Sequence, residues 1–130
     1  MFWKIMKPLA EHYHLIFIDI IGMGGSSRPK FEVKNNIVAD EYLIEWLEKW
    51  RVKMGDLKDF VLAGHSFGGY VAGIYACRYY KYIKKLLLLS PAGAATKPED
   101  FNFEEEIEKY PRNKRPPKWV LKNAHKVWGW

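Results

Sequence analysis

The chain is 130 residues long with a mass of 15.3 kDa, a length for one domain at most. Its 48% hydrophobic and 28% charged residues fit a soluble globular protein and exclude a disordered one. Six Trp, eight Tyr and seven Phe call for a sizeable core or for an apolar face toward lipid, membrane or partner, and the net charge of +6 is concentrated near the carboxyl end.

In chain order, Phe2, Ile5, Met6, Leu9 and Tyr13 recur at helical spacing, which predicts a helix over Phe2–Tyr13. Leu15–Ile20 is a short apolar run, as expected of a strand buried on both faces of a parallel sheet. A Gly/Ser-rich turn follows from Gly22 to Pro29. Leu43, Trp46, Leu47 and Trp50 give an apolar stripe to a helix over Ile37–Met54, with Gly55 as its stop signal. Phe60–Ala63 reads as a second buried strand, Tyr70–Tyr80 as a small-residue helix and Ile83–Leu89 as a third strand that ends at the Ser90–Gly93 turn. Alternation of helix and strand argues for the α/β class, with central parallel strands covered by helices.

After Gly93 the composition turns acidic (Glu99, Asp100, Glu104, Glu105, Glu106) and then basic and aromatic. From Glu108 to Trp130 seven Lys or Arg face one acid, interleaved with Tyr110, Trp119, Trp128 and Trp130. That mixture suits an anionic membrane surface or acidic headgroups; the plain alternative is a solvated basic face. Nucleic acid is not expected as a partner, because no binding motif accompanies the charge. The longest apolar run, Leu86–Leu89, is far too short to cross a bilayer. Met1-Phe2-Trp3-Lys4 does not read as a cleavable leader, and the single Cys77 supports neither a disulfide framework nor a thiolate-rich metal site. A reducing, cytoplasmic location is the expectation. No metal or cofactor is expected, since the His and carboxylate spacings match no ligand set.

The chemistry-bearing motif is Gly64-His65-Ser66-Phe67-Gly68, a G-x-S-x-G between an expected strand and an expected helix. Such a turn holds Ser66 Oγ out at the carboxyl edge of the sheet, as a nucleophile. The helix that follows aims the Phe67 N–H at the place where an oxyanion would form. Gly64 and Gly68 are expected to leave room where the backbones meet, and Gly69, Ala72 and Gly73 to let the helix pack closely. Gly22-Met23-Gly24 invites a dinucleotide-binding reading, which Ser27 and Arg28-Pro29 exclude, because no glycine opens a helix there. Of the histidines, His65 is expected to shape the pocket, His12 and His14 to lie at a helix-to-strand junction, and His125 to sit in the basic tail.

Asp19-x-x-Gly22-x-Gly24-x-Ser26 followed by Gly64-His65-Ser66-Phe67-Gly68-Gly69 resembles the α/β-hydrolase superfamily. Ile21–Pro29, Glu45–Arg51, Gly64–Gly69 and Ser90–Gly93 look like one lipid-handling branch of it. That branch contains N-acyl-phosphatidylethanolamine lipases, lysophospholipases, proteins described as lysophosphatidic acid acyltransferases, and the lipid-droplet lipase coactivator. The resemblance implies a partial α/β-hydrolase core over residues 1–95 and the beginning of a cap over 96–130. It implies Ser66 as nucleophile and the Phe67 N–H as an oxyanion donor; coactivator members carry Asn at the position of Ser66. In such folds the acid and histidine follow the nucleophile on later loops, and nothing in this chain matches them or the oxyanion loop of the first strands. His14 and Asp19 match an H-x4-D spacing that acyltransferase-type members carry near their carboxyl end, here on an expected strand and so by coincidence. The expectation is an internal piece of a serine hydrolase of lipid or acyl esters. The alternatives are a lysophospholipid acyltransferase and a catalytically inactive module that binds a lipid surface or a partner.

Overall fold

The computed structural model describes residues 3–94 together with Glu105, Glu108, Pro111 and Arg112. The expected cap over 96–130 and the basic, Trp-containing tail therefore lie outside the described residues, Glu105, Glu108, Pro111 and Arg112 excepted. The chain divides into two compact units at Glu32/Val33.

The first unit contains helix α1, Trp3–Ala10, and the turn that follows it. Its Gly-rich segment is organised by Asp19. One Asp19 carboxylate oxygen accepts the Gly25 N–H at 2.8 Å, and the Asp19 carbonyl accepts the Ser26 hydroxyl at 2.5 Å. Arg28 closes the turn by donating to the Gly24 carbonyl at 2.8 Å. Gly24 sits at φ +51° with the Asp19 carboxylate against it, so a side chain there would meet both a disfavoured backbone conformation and a collision. The strand expected at Leu15–Ile20 does not form. A strand exists only through ladder bonds to a neighbour, and the one sheet of the described residues joins two other segments.

The second unit carries the order helix, strand, helix, 3-10 turn, strand. Helix α2, Asn36–Lys53, starts where the Asn35 side chain accepts the Val38 N–H at 3.0 Å, satisfying a donor that the first turn leaves without an intrahelical partner. Strand β1, Phe60–His65, leads into helix α3, Phe67–Tyr79, and a 3-10 turn at Tyr80–Tyr82 leads into strand β2, Ile83–Leu89. Strands β1 and β2 pair in parallel, from Phe60↔Ile83 to His65↔Leu89, with one irregularity between Phe60 and Val61. Helix α3 lies against both strands and α2 packs along α3.

The core is the seam of these helices: Leu43, Ile44 and Leu47 from α2 meet Val71, Ala72 and Tyr75 from α3. Trp46 and Trp50, expected in the stripe, are half-buried, and Arg51 takes a buried place instead. The expectation that Phe60–Ala63 is a buried strand is corrected as well. Half-buried and exposed residues alternate from Phe60 to Gly64 in β1, and every residue of β2 beyond Ile83 is exposed, because among the described residues α3 is the main element packed on the two strands.

Candidate active site

The G-x-S-x-G segment spans the junction of β1 and α3. Ser66 is the single residue between His65, the last of the strand, and Phe67, the first of the helix. It adopts φ 52° and ψ −119°, a region that costs a non-glycine residue of order 1–3 kcal/mol and persists only where its surroundings impose it. Those surroundings are explicit. The Ser66 N–H donates to the Leu89 carbonyl at 3.1 Å, extending the parallel ladder by one step. The Ser66 carbonyl accepts two bonds, from Tyr70 N–H at 3.1 Å and from Ala92 N–H at 2.9 Å. The side chain is left exposed and makes no capping bond to its own helix.

The turn is tight because of Gly64. A Cβ there would lie on the Gly68 carbonyl oxygen, 2.5 Å from the Gly68 carbonyl carbon and 2.7 Å from the Gly69 nitrogen. Gly69 is constrained from the other side, with Pro91 Cβ at 2.9 Å from where its own Cβ would be. The roles expected for Gly68 and Gly73 are corrected: a Cβ on either points into open space, so neither is needed for close approach. Phe67 opens the thirteen-residue α3, so its N–H belongs to the helical turn whose amides have no intrahelical acceptor. It thus lies at the positive end of the helix dipole, beside Ser66.

His65 is half-buried and stands opposite Leu89 in the ladder. His12 and His14 are exposed, and His125 lies outside the described residues. Among the described residues no three His, Cys, Asp or Glu side chains gather closely enough to hold a metal ion.

Two polar arrangements brace the helix behind Ser66, and neither was singled out from sequence. The Tyr70 hydroxyl donates to Asp40 Oδ1 on α2 at 2.6 Å; burial, with Asp40 beside it, pushes the phenol up to about 12, so it stays a donor. About three turns further along α2, Arg51 places its guanidinium on Glu48 at 2.7 and 2.9 Å, on Asp56 at 2.5 Å and on the Leu57 carbonyl at 2.9 Å, with its Cζ 3.8 Å from the Tyr82 ring centre. Tyr75, fully buried, donates to Glu48 at 2.7 Å. Glu48 and Tyr75 are 27 positions apart and Asp40 and Tyr70 are 30 apart, so no local spacing announces either pair.

The sequence profile described as the alpha/beta hydrolase fold matches residues 1–124. The chain belongs to the α/β-hydrolase fold family. It is 41% identical over 98 residues to the probable 1-acylglycerol-3-phosphate O-acyltransferase of Oryza sativa subsp. japonica, covering 75% of this chain and 23% of that protein. It is 35% identical over 115 residues to the (Lyso)-N-acylphosphatidylethanolamine lipase of Mus musculus, covering 88% of this chain and 30% of that protein. With the abhydrolase domain-containing protein abhd-5.2 of Caenorhabditis elegans it shares 42% identity over 88 residues, 68% of this chain and 19% of the other. The rice and mouse relatives carry lipid-related names, as the branch resemblance implied. The chain spans between 19% and 30% of the length of these three curated relatives. No solved structure matches it. The parallel β1–α3–β2 unit is part of an α/β-hydrolase fold.

Proposed function

We propose that the whole protein to which this α/β-hydrolase chain belongs cleaves a carboxylic ester of a lipid through an acyl-Ser66 intermediate. The observation that carries the reading is Ser66 itself, exposed at φ 52° between a strand and the amino end of a helix. In the proposed reaction Ser66 Oγ attacks the acyl carbonyl carbon while a general base takes its proton. The carbonyl oxygen becomes an oxyanion facing the Phe67 N–H. Collapse of this intermediate releases the lipid alcohol, which takes up the proton, and leaves the acyl group on Ser66. Water, activated by the same base, then attacks the acyl-enzyme and frees the fatty acid. None of His12, His14 or His65 is assigned as that base; the histidine and the acid that orients it are to be sought in the remainder of the whole protein.

Acyl transfer is the second reading, favoured by the name of the rice relative. A lysophospholipid hydroxyl then replaces water in the second half of the reaction. The basic, aromatic run from Glu108 to Trp130 would hold either enzyme on an anionic membrane or droplet surface from the cytoplasmic side. As an inactive surface-binding module, the protein would rely on that run alone.

The test uses the full-length protein, a fluorophosphonate probe and a labelled phospholipid. Labelling at Ser66, with Ser66→Ala abolishing it and lowering turnover on the order of 10⁴ to 10⁶, is the expected outcome. Labelled free fatty acid identifies hydrolysis, and label in a diacyl product after addition of lysophosphatidate identifies transfer. An unlabelled Ser66, with vesicle binding that Ser66→Ala leaves intact and neutralising Arg112, Lys114 and Arg115 abolishes, would establish the inactive module instead.

A further inference from the structure

We propose that the end of β2 and the turn after it, Leu89 to Gly93, form a positioning element that locks Ser66 in its left-handed conformation and so sets the aim of its Oγ. The catalytic part of this inference rests on the reading of Ser66 as a nucleophile. Helix α3 by itself supplies one bond to the Ser66 carbonyl, from Tyr70, and that bond would let strand and helix pivot about the junction. The turn adds constraints from a different segment. Leu89 O holds the Ser66 N–H at 3.1 Å, and Ala92 N–H holds the Ser66 carbonyl at 2.9 Å. Ser66 is thereby clamped at both of its main-chain polar groups.

The same turn also closes on the helix by packing. Pro91 lies so near Gly69 that an added Cβ would stand 2.9 Å from Pro91 Cβ and 3.0 Å from its Cα. Gly93, at φ +71°, lies beside the Tyr70 ring, which is itself tied to Asp40 on α2. The turn carries strain of its own, with Ser90 at φ 43°. Two left-handed non-glycine residues, Ser66 and Ser90, follow the paired residues His65 and Leu89, so each marks the place where its chain leaves the ladder.

The test uses the full-length protein and three variants. Ala92→Pro deletes the N–H that reaches the Ser66 carbonyl, Ala92→Ser keeps it, and Gly69→Ala pushes the turn away from the helix side. Two quantities are read: amide hydrogen exchange over Phe67–Tyr70, and saturation kinetics of fluorophosphonate labelling. Exchange is expected to quicken in Ala92→Pro and Gly69→Ala. The maximal labelling rate is expected to fall about tenfold, the rate equivalent of one lost hydrogen bond, with half-saturation unchanged. Ala92→Ser should match the wild type in both. Should Ala92→Pro fail to fold, Gly69→Ala carries the test. Quickened exchange with an unaltered labelling rate overturns the positioning role, and unaltered exchange in both variants overturns the clamp. A wild-type protein that is not labelled, while Ala92→Pro still quickens exchange, overturns the nucleophile reading and upholds the clamp.

Discussion

At Gly64 a methyl group would overlap the backbone of Gly68, which can yield only if the strand-to-helix turn opens. Gly64→Ala should therefore cost about 3 kcal/mol, at the upper end of overpacking effects, and should abolish labelling of Ser66. Gly68→Ala is the informative contrast. Its methyl enters open space, and alanine favours the helix over glycine by about 0.8–1 kcal/mol, so the variant should be no less stable than the wild type. Denaturant midpoints of the two variants check both statements. The motif pattern treats the two glycines alike, and only the packing separates them: the first is pressed against carbonyl and amide groups, and the second is not.

Among the elements, α2 and α3 are held by six buried apolar residues, by the Tyr70–Asp40 and Arg78–Glu41 contacts, and by a cluster around the buried Arg51 that Tyr75 joins through Glu48. Arg51, 2% exposed, is satisfied by Glu48, Asp56 and the Leu57 carbonyl. Arg51→Met removes the cation and leaves Glu48 facing Tyr75 and the helix seam without its counter-charge. A loss of about 3–5 kcal/mol is expected, as for a buried pair deprived of one member. The pH dependence has a definite sign. Hydrogen bonds from Arg51, foremost, and from Tyr75 hold the Glu48 carboxyl below its ordinary 4.5, against the opposing effect of burial. Because the folded value is depressed, the Glu48 contribution is complete above about pH 5 and is lost as the pH falls below 4.5 and through the folded value. Stability measured from pH 6 down to pH 3 should fall, and Glu48→Gln should flatten that slope in part. Asp56, lowered by Lys58 and Arg51, and Glu41, lowered by Arg78, act with the same sign. At the amino end of α2, Asn35→Ala should cost about 1 kcal/mol through the lost cap to Val38; a thermal melt reads it.

On the scale of the whole molecule, the most consequential surface is the sheet. Leu86, Leu87, Leu88 and Leu89 are exposed at 38%, 48%, 43% and 47%, and Val61 on the neighbouring strand at 45%. Among the described residues neither edge of the two-stranded parallel sheet is paired, and apolar edges of this kind invite association. A polypeptide of these 130 residues alone should self-associate at micromolar concentration, and Leu88→Lys should reduce this. Sedimentation velocity decides between that outcome and a monodisperse monomer.

These scales separate what is legible in a sequence from what is not. By itself the sequence determined the α/β class, β2 to the residue, α2 to within a residue at each end, and the place of Ser66 between strand and helix. Hydrophobic period, Gly stop signals and the G-x-S-x-G spacing are local, and local signals survive without knowledge of the neighbours. The tertiary structure alone decided the rest. Leu15–Ile20 has the composition of a strand but forms none here, because a ladder needs a partner. Arg51 has local partners in Glu48 and Asp56, but its buried place depends on Tyr82, 31 positions away, whose ring packs against its guanidinium. The clamp on Ser66 consists of main-chain groups of Leu89 and Ala92, more than twenty positions away, whose identity no side-chain pattern encodes.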